Sequence, residues 1–266
     1  MNPLRSLALA FALCLLPLPA YALAKIELVG VKIRVPDMAE AKSFYTGVLG
    51  FQIEKESDDK QTVWLRTKSY KIVLERSKDA RRISTPGYSH VSMSMRVNDI
   101  DETFRYLKAK GVKFIKDEKR KEGVGWSLQI LDPFGNKISM MQITAGKPET
   151  IVEPSVYNCG IYVTDIETAL KTYEDALGFV VRSRAYMPED MPLGTSDGKF
   201  AFMLHLRRQD LPHVENPNMN LIFNATDPDT IEKLKHKGIS LRTGSANNVF
   251  TIVDSVGIVS ELVVDR

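Results

Sequence analysis

The sequence predicts an α+β protein of four strand-helix-strand modules arranged as two successive pairs, and three observations carry that prediction. VGVKIRVPDMAEAKSFYTGVLGF at 29–51 has a degenerate copy, YNCGIYVTDIETALKTYEDALGF, at 157–179. Asp37 and Asp165, Tyr45 and Tyr173, Leu49 and Leu177, Gly50 and Gly178, and Phe51 and Phe179 each lie 128 residues apart, an offset held constant through a helix. Inside each half sits a weaker copy, SHVSMSMRVNDIDETFRYLKAKGVKF at 89–114 and NMNLIFNATDPDTIEKLKHKGISL at 218–241, with Asp99 and Asp227 again 128 apart. Repetition on this scale sets the number of units before any single element is assigned.

Residues 1–24 stand apart from the repeats. Arg5 precedes an apolar run from Leu7 to Leu18, and Ala20-Tyr21-Ala22 and Ala22-Leu23-Ala24 both offer the small-x-small pattern of a signal peptidase site, so the segment reads as a signal peptide. The run falls short of the roughly 20 residues that span a bilayer. An exported, periplasmic or secreted protein without stable membrane insertion is expected.

The first domain is expected over 25–145. Val29, Val31, Ile33 and Val35 alternate with Gly30, Lys32 and Arg34, the period of a strand with one buried face. Asp37 with Glu40 is placed to cap the helix that covers this face, and Gly50 to end it. TVWLRTKSYKIVLER at 62–76 reads as a hairpin turning at Lys68-Ser69. In the second module Asp99 with Glu102 and Gly111 repeat the helix signals, and WSLQILDPFGNKISMMQI at 126–143 is a hairpin turning at Asp132-Pro133-Phe134-Gly135. A polar, proline-bearing linker, 146–154, leads to the second domain, 155–266, where Asp227 with Pro228 at the first helical position and Gly238 bound the last helix.

Composition excludes several classes of function. Thirty-six Lys and Arg against 33 Asp and Glu are too balanced for a nucleic-acid binder. Loss of the leader removes Cys14 and leaves Cys159 alone, so no intramolecular disulfide can form. Cys159 alternates with Asn158 and is expected to point at its helix as a small buried hydrophobe. His213 and His236 have no strand placement and read as surface residues.

The order of strand, helix and further strands, the FY…VLGF helix end at 44–51, the DPFGNKI turn and the pairing of modules together resemble the vicinal oxygen chelate superfamily. It includes glyoxalase I, extradiol dioxygenases and the fosfomycin and bleomycin resistance proteins. The resemblance covers 27–265 and implies βαβββ modules paired into two glyoxalase-like domains, with mixed sheets cupped around a cavity and helices outside. It also implies a divalent metal, held by histidine or glutamine near the start of each module's first strand and glutamate on its last.

Alternation places those positions on Gly30, Glu75, His90 and Ser139 in the first domain, and on Asn158, His205, Asn218 and Glu261 in the second. Each domain then holds one histidine and one carboxylate where three or four ligands are expected, and two ligands hold a transition metal weakly. The first domain reads as metal-free. In the second, Asn158, His205, Asn218 and Glu261 form the candidate set for one weak divalent ion, and Glu261 is the candidate catalytic ligand or base. Lys32, Arg34, Glu75, His90, Ser92, Arg96 and Tyr162 are the candidate lining of the cavity, and its cations favour a small anionic molecule.

Three functions remain open at this point. The degenerate ligand set favours an exported protein, monomeric or homodimeric, that binds a small molecule as bleomycin-resistance relatives do. The alternatives are a metal-dependent lyase, isomerase or dioxygenase working from the second domain, and a non-catalytic structural or interaction protein.

Overall fold

The computed structural model describes residues 26–265 except 69, 84–89, 147–149, 208–217 and 245. The expected leader, Ser69 of the expected first hairpin turn, part of the expected linker and His213 therefore lie outside the described residues. All four expected modules are present. The first comprises β1 (Ile26–Val35), α1 (Met38–Lys42, continued by a π-helical turn, Ser43–Val48), β2 (Gln52–Glu56), β3 (Thr62–Arg66) and β4 (Lys71–Arg76). The second comprises β5 (Val91–Arg96), α2 (Ile100–Ala109), β6 (Lys113–Phe114), β7 (Arg120–Glu122), β8 (Gly125–Leu131) and β9 (Lys137–Ile143). The third comprises β10 (Ser155–Val163), α3 (Ile166–Leu170, continued by a π turn, Lys171–Ala176), β11 (Val180–Val181), β12 (Asp190–Gly194) and β13 (Phe200–Leu206). The fourth comprises β14 (Met219–Ala225), α4 (Thr230–His236), β15 (Ser240–Thr243), β16 (Val249–Val253) and β17 (Val259–Val264).

Local signals act where the sequence places them, with two shifts. Asp37 and Asp99 accept the amides of Glu40 at 3.0 Å and Glu102 at 2.8 Å, which satisfies N-terminal amides that have no partner inside the helix. Gly50 and Gly111 end their helices at φ 78° and 71°. α4, however, begins at Thr230 with Asp229 as its cap residue, while Asp227 accepts the amide of Asp229 in the preceding turn. In β1 a bulge between Leu28 and Gly30 shifts the alternation, so Ile26 and Leu28 are buried before it and Val31, Ile33 and Val35 after it, with Val29 only half-buried. β10 carries its bulge between Val156 and Asn158, again 128 residues on.

The pairing of modules differs from expectation and decides where the sites lie. One mixed sheet runs β15-β16-β17-β14-β1-β4-β3-β2, and the other runs β11-β12-β13-β10-β5-β9-β8-β6. The first module thus pairs with the fourth and the second with the third, through antiparallel β1–β14 and β5–β10 contacts. Each cup draws one module from each half of the chain. The apolar faces of both sheets and the helices form one core, in which Phe202 of β13 and Phe223 of β14 meet across the two sheets at 6.0 Å. Tyr45 donates to Asp132 of the second module at 2.9 Å, and Tyr173 to Asp254 of the fourth at 2.8 Å, so the helices tie together the modules that the sheets separate. Cys159 is fully buried, and burial pushes its thiol well above the ordinary range.

Candidate functional site

On the face of each sheet away from this core lie residues whose type is polar and whose burial is high. In the first cup these include Lys32 and Asn220; in the second they include Ser92, Lys137 and Ser139. Polar side chains on an open sheet face would be solvated, so their burial reflects a sheet curled around them.

The swap redistributes the predicted site residues. Gly30, Glu75 and Glu261 lie on the first sheet with Asn218 just before β14, and Ser139, Asn158 and His205 lie on the second with His90 just before β5. Asn158, His205, Asn218 and Glu261 therefore do not form one set, which corrects the expected second-domain metal site. Both glutamates fall in one cup and both histidines in the other.

In the first cup the Lys32 ammonium lies 2.9 Å from Glu75 Oε2 and 2.6 Å from Glu261 Oε2. β1 delivers Lys32 between the two carboxylates because it is the central strand, flanked by β4 with Glu75 and by β14, whose own neighbour β17 carries Glu261. Burial pulls the Lys32 pKa down, but hydrogen bonds and charges from Glu261 and Glu75 outweigh it and hold the ammonium above its ordinary value. Arg34 Nε approaches Glu75 at 3.9 Å. These two cations are thus turned toward carboxylates of the same cup rather than presented together to an anion. The other family positions are occupied differently. A Cβ on Gly30 would stand 2.3 Å from the Lys71 carbonyl oxygen, so no side chain fits there. Asn218 accepts the amide of Arg81 at 3.1 Å and donates to its carbonyl at 2.8 Å, clamping the crossover that follows β4.

The second cup is organised around a row of neighbours. Tyr162 of β10 donates its amide to the His90 carbonyl at 2.8 Å and pairs with His205 of β13. The Tyr162 and His205 rings stack at 4.9 Å, and His205 Nδ1 is 2.6 Å from Asp190 of β12. Lys137 donates to the Tyr162 hydroxyl at 2.7 Å, and its nitrogen lies 4.3 Å from the centre of that ring. Burial, followed by the charge of Arg120, pulls the Lys137 pKa down to about 7. Gly160 makes room for the imidazole: a Cβ there would lie 2.5 Å from His205 Nε2 and 2.9 Å from Ser92 Oγ. Asn158 Oδ1 is buried without a hydrogen-bond donor. Arg96 closes the strand that bears Ser92, paired with Ser155 and Met141.

Neither cup suits a divalent ion. In the first, an ammonium already stands between Glu75 and Glu261, and the remaining family positions are a glycine and a clamped asparagine. In the second, Asp190 engages His205 Nδ1, and Tyr162 separates the two histidines. Among the described residues no three of His, Cys, Asp and Glu come together to hold a metal.

Residues 26–140 match the Glyoxalase/Bleomycin resistance protein/Dioxygenase superfamily. The match covers the first two of the four modules. Among solved structures, glyoxalase I from Zea mays superposes with a TM-score of 0.67 at 18% identity, over 90% of this chain and 92% of that one. A protein from Bacillus subtilis subsp. subtilis str. 168, provisionally assigned as a dioxygenase, gives 0.67 at 13% identity over 92% and 87%. Identities this low establish the fold alone and leave the chemistry to the residues. No curated protein gives a significant sequence match.

Sequence reasoning missed Lys137, Asp190 and Gly160. Lys137 was reachable, since it lies two residues before Ser139 and so on the same face of β9. Gly160 was reachable too, because it is the 128-residue equivalent of Lys32. Asp190 had no such signal: it follows the irregular stretch after α3, outside any alternating run.

Proposed function

We propose that the protein is exported and binds a small molecule in a cup that works without a metal ion. The observation that carries this reading is the Lys32 ammonium between Glu75 and Glu261, at 2.9 and 2.6 Å. A lysine there supplies the positive charge that two facing carboxylates require, and a divalent ion would have to displace it against two charge-assisted hydrogen bonds. The second cup favours binding on different grounds. Its hydroxyls, the buried acceptor of Asn158 and the Tyr162–His205 face offer a ligand both hydrogen bonds and an aromatic wall. The leader supports a ligand met outside the cytoplasm.

The test is elemental analysis of the purified protein after exposure to Mn, Ni and Zn, combined with thermal melts against small anions and their neutral counterparts. Substoichiometric metal and a raised melting temperature with at least one small molecule are expected. A stoichiometric ion lost in Glu261→Ala would overturn the reading for the first cup, and one lost in His205→Ala for the second.

A further inference from the structure

Outside the two cups, a groove of about 530 Å³ lies on the helical side of the first half. Phe44 and Val48 of the π-helical turn after α1, Val112 after α2 and Leu131 at the end of β8 give it an apolar lining. Tyr106 ties α2 to that turn by donating its hydroxyl to the Val48 carbonyl at 3.0 Å. A space of this size, apolar with a few polar groups, is the ordinary form of a small-molecule pocket.

The charges along the groove are of two kinds. Arg82 donates to both carboxylate oxygens of Glu40, 3.0 Å from Oε1, and to the Pro133 carbonyl at 3.2 Å. Asp132 accepts from Tyr45, from the Asn136 side chain and from the amides of Phe134 and Asn136, so both its oxygens are engaged. Lys110 and Lys113 differ. Both are exposed, and neither is ion-paired with a described residue.

The second half shows what closes such a groove. Thr172 stands 128 residues after Phe44, and Ser255 follows Asp254 as Pro133 follows Asp132. The Ser255 amide donates to Thr172 Oγ1 at 2.9 Å, and its hydroxyl to the Thr168 carbonyl at 2.6 Å. Lys237, which ends α4 just before Gly238 as Lys110 ends α2 just before Gly111, donates to the Asp175 carbonyl at 2.6 Å. Phe44 and Pro133 have no hydrogen-bonding side chain, so the first half makes no such bridge.

We propose that the groove of the first half binds a small carboxylate with an apolar body. Lys110 and Lys113 take the carboxylate, and the body lies against Phe44, Val48 and Val112. An inorganic anion would leave the apolar lining in water, and a neutral apolar molecule would leave both ammoniums without a counter-charge. The site is separate from the cups and does not depend on the function proposed for them.

The experiment titrates the purified, 15N-labelled protein with octanoate, phenylacetate, their primary amides and acetate, and reads dissociation constants from amide shifts in NMR. Shifts centred on Val48, Gly111, Val112 and Gly135 are expected. Each carboxylate should bind about five- to 25-fold more tightly than its amide, the range for two ion pairs made at an exposed rim, and acetate more weakly than either carboxylate. Lys110→Met combined with Lys113→Met alters only exposed side chains and should erase the preference for carboxylate over amide. Ser43→Trp, at an exposed position along the groove, should weaken carboxylate and amide alike. Shifts confined to cup residues such as Lys32 and Tyr162, a carboxylate preference that survives the double substitution, or no saturable shift with any probe would overturn the site.

Discussion

Replacing Lys32 by Met removes one charge from the first cup and leaves two carboxylates facing each other across the space it held. Lys32 contacts Glu75 at 2.9 Å and Glu261 at 2.6 Å, with side chains 11%, 33% and 17% exposed. Removing one partner of a buried ion pair costs about 3–5 kcal/mol. Partial access of water to Glu75 favours the lower end, so the expected loss is about 3 kcal/mol at pH 8. The sign of the pH dependence follows from Lys32 itself, whose folded pKa is held above its ordinary value. Stability linked to such a group is full below the unfolded pKa of about 10.4 and is lost as pH rises through the folded one. The defect of Lys32→Met should therefore be full at pH 8 and shrink above about pH 10.4. Urea unfolding of wild type and variant across that range measures it, and adding Glu75→Gln with Glu261→Gln should recover most of the loss. A variant that loses under about 1 kcal/mol at pH 8, the scale of a surface ion pair, would refute the view of Lys32 as the cup's internal cation.

The second cup makes a different demand on pH. Because the folded Lys137 pKa is lowered from 10.5 to about 7, the unfolded chain binds the extra proton between those values. Stability should rise with pH over that window, by up to roughly 5 kcal/mol, and Lys137→Met should flatten the rise in denaturant titrations. Gly160→Ala places a methyl group 2.5 Å from His205 Nε2; a loss of about 1–3 kcal/mol is expected, and NMR should show the imidazole moved from Asp190. Tyr45→Phe and Tyr173→Phe each strip a donor from a buried carboxylate, Asp132 or Asp254. Each should cost about 1–3 kcal/mol in chemical denaturation, and similar losses are expected because the two bonds are repeat equivalents.

Much of the fold was legible because it depends on local chemistry. The Asp37 and Asp99 caps, the glycine helix ends and both hairpins of the first half follow from residues within a few positions of one another. The bulges in β1 and β10 were not legible, since an extra residue shifts the alternation without leaving a turn signal. The π-helical ends of α1 and α3 likewise follow from packing rather than composition, as π turns are short insertions in α-helices. Partner choice was hidden for a stronger reason. The 128-residue offset identifies which strands are equivalent, and equivalence is blind to which module lies beside which. Pairing within a half and pairing across the halves bury the same faces of the same strands.

That ambiguity governed the site. Counted along the chain, each half carries one histidine and one carboxylate among the family positions, a picture of two equally eroded metal sites. Counted across the folded sheets, Glu75 and Glu261 share one cup and His90 and His205 the other. Each cup is then met by a lysine suited to its contents. Lys32 enters between carboxylates, which hold its charge in place above the ordinary pKa. Lys137 is buried against a tyrosine hydroxyl and an aromatic ring, where burial favours the neutral amine. The 128-residue equivalent of Lys32 is Gly160, so the position that fills the first cup is the one that leaves space for the imidazole in the second. A common scaffold has in this way been made asymmetric by one repeat position: its side chain closes an ion pair in the first cup, and its absence in the second gives its space to a histidine held by Asp190.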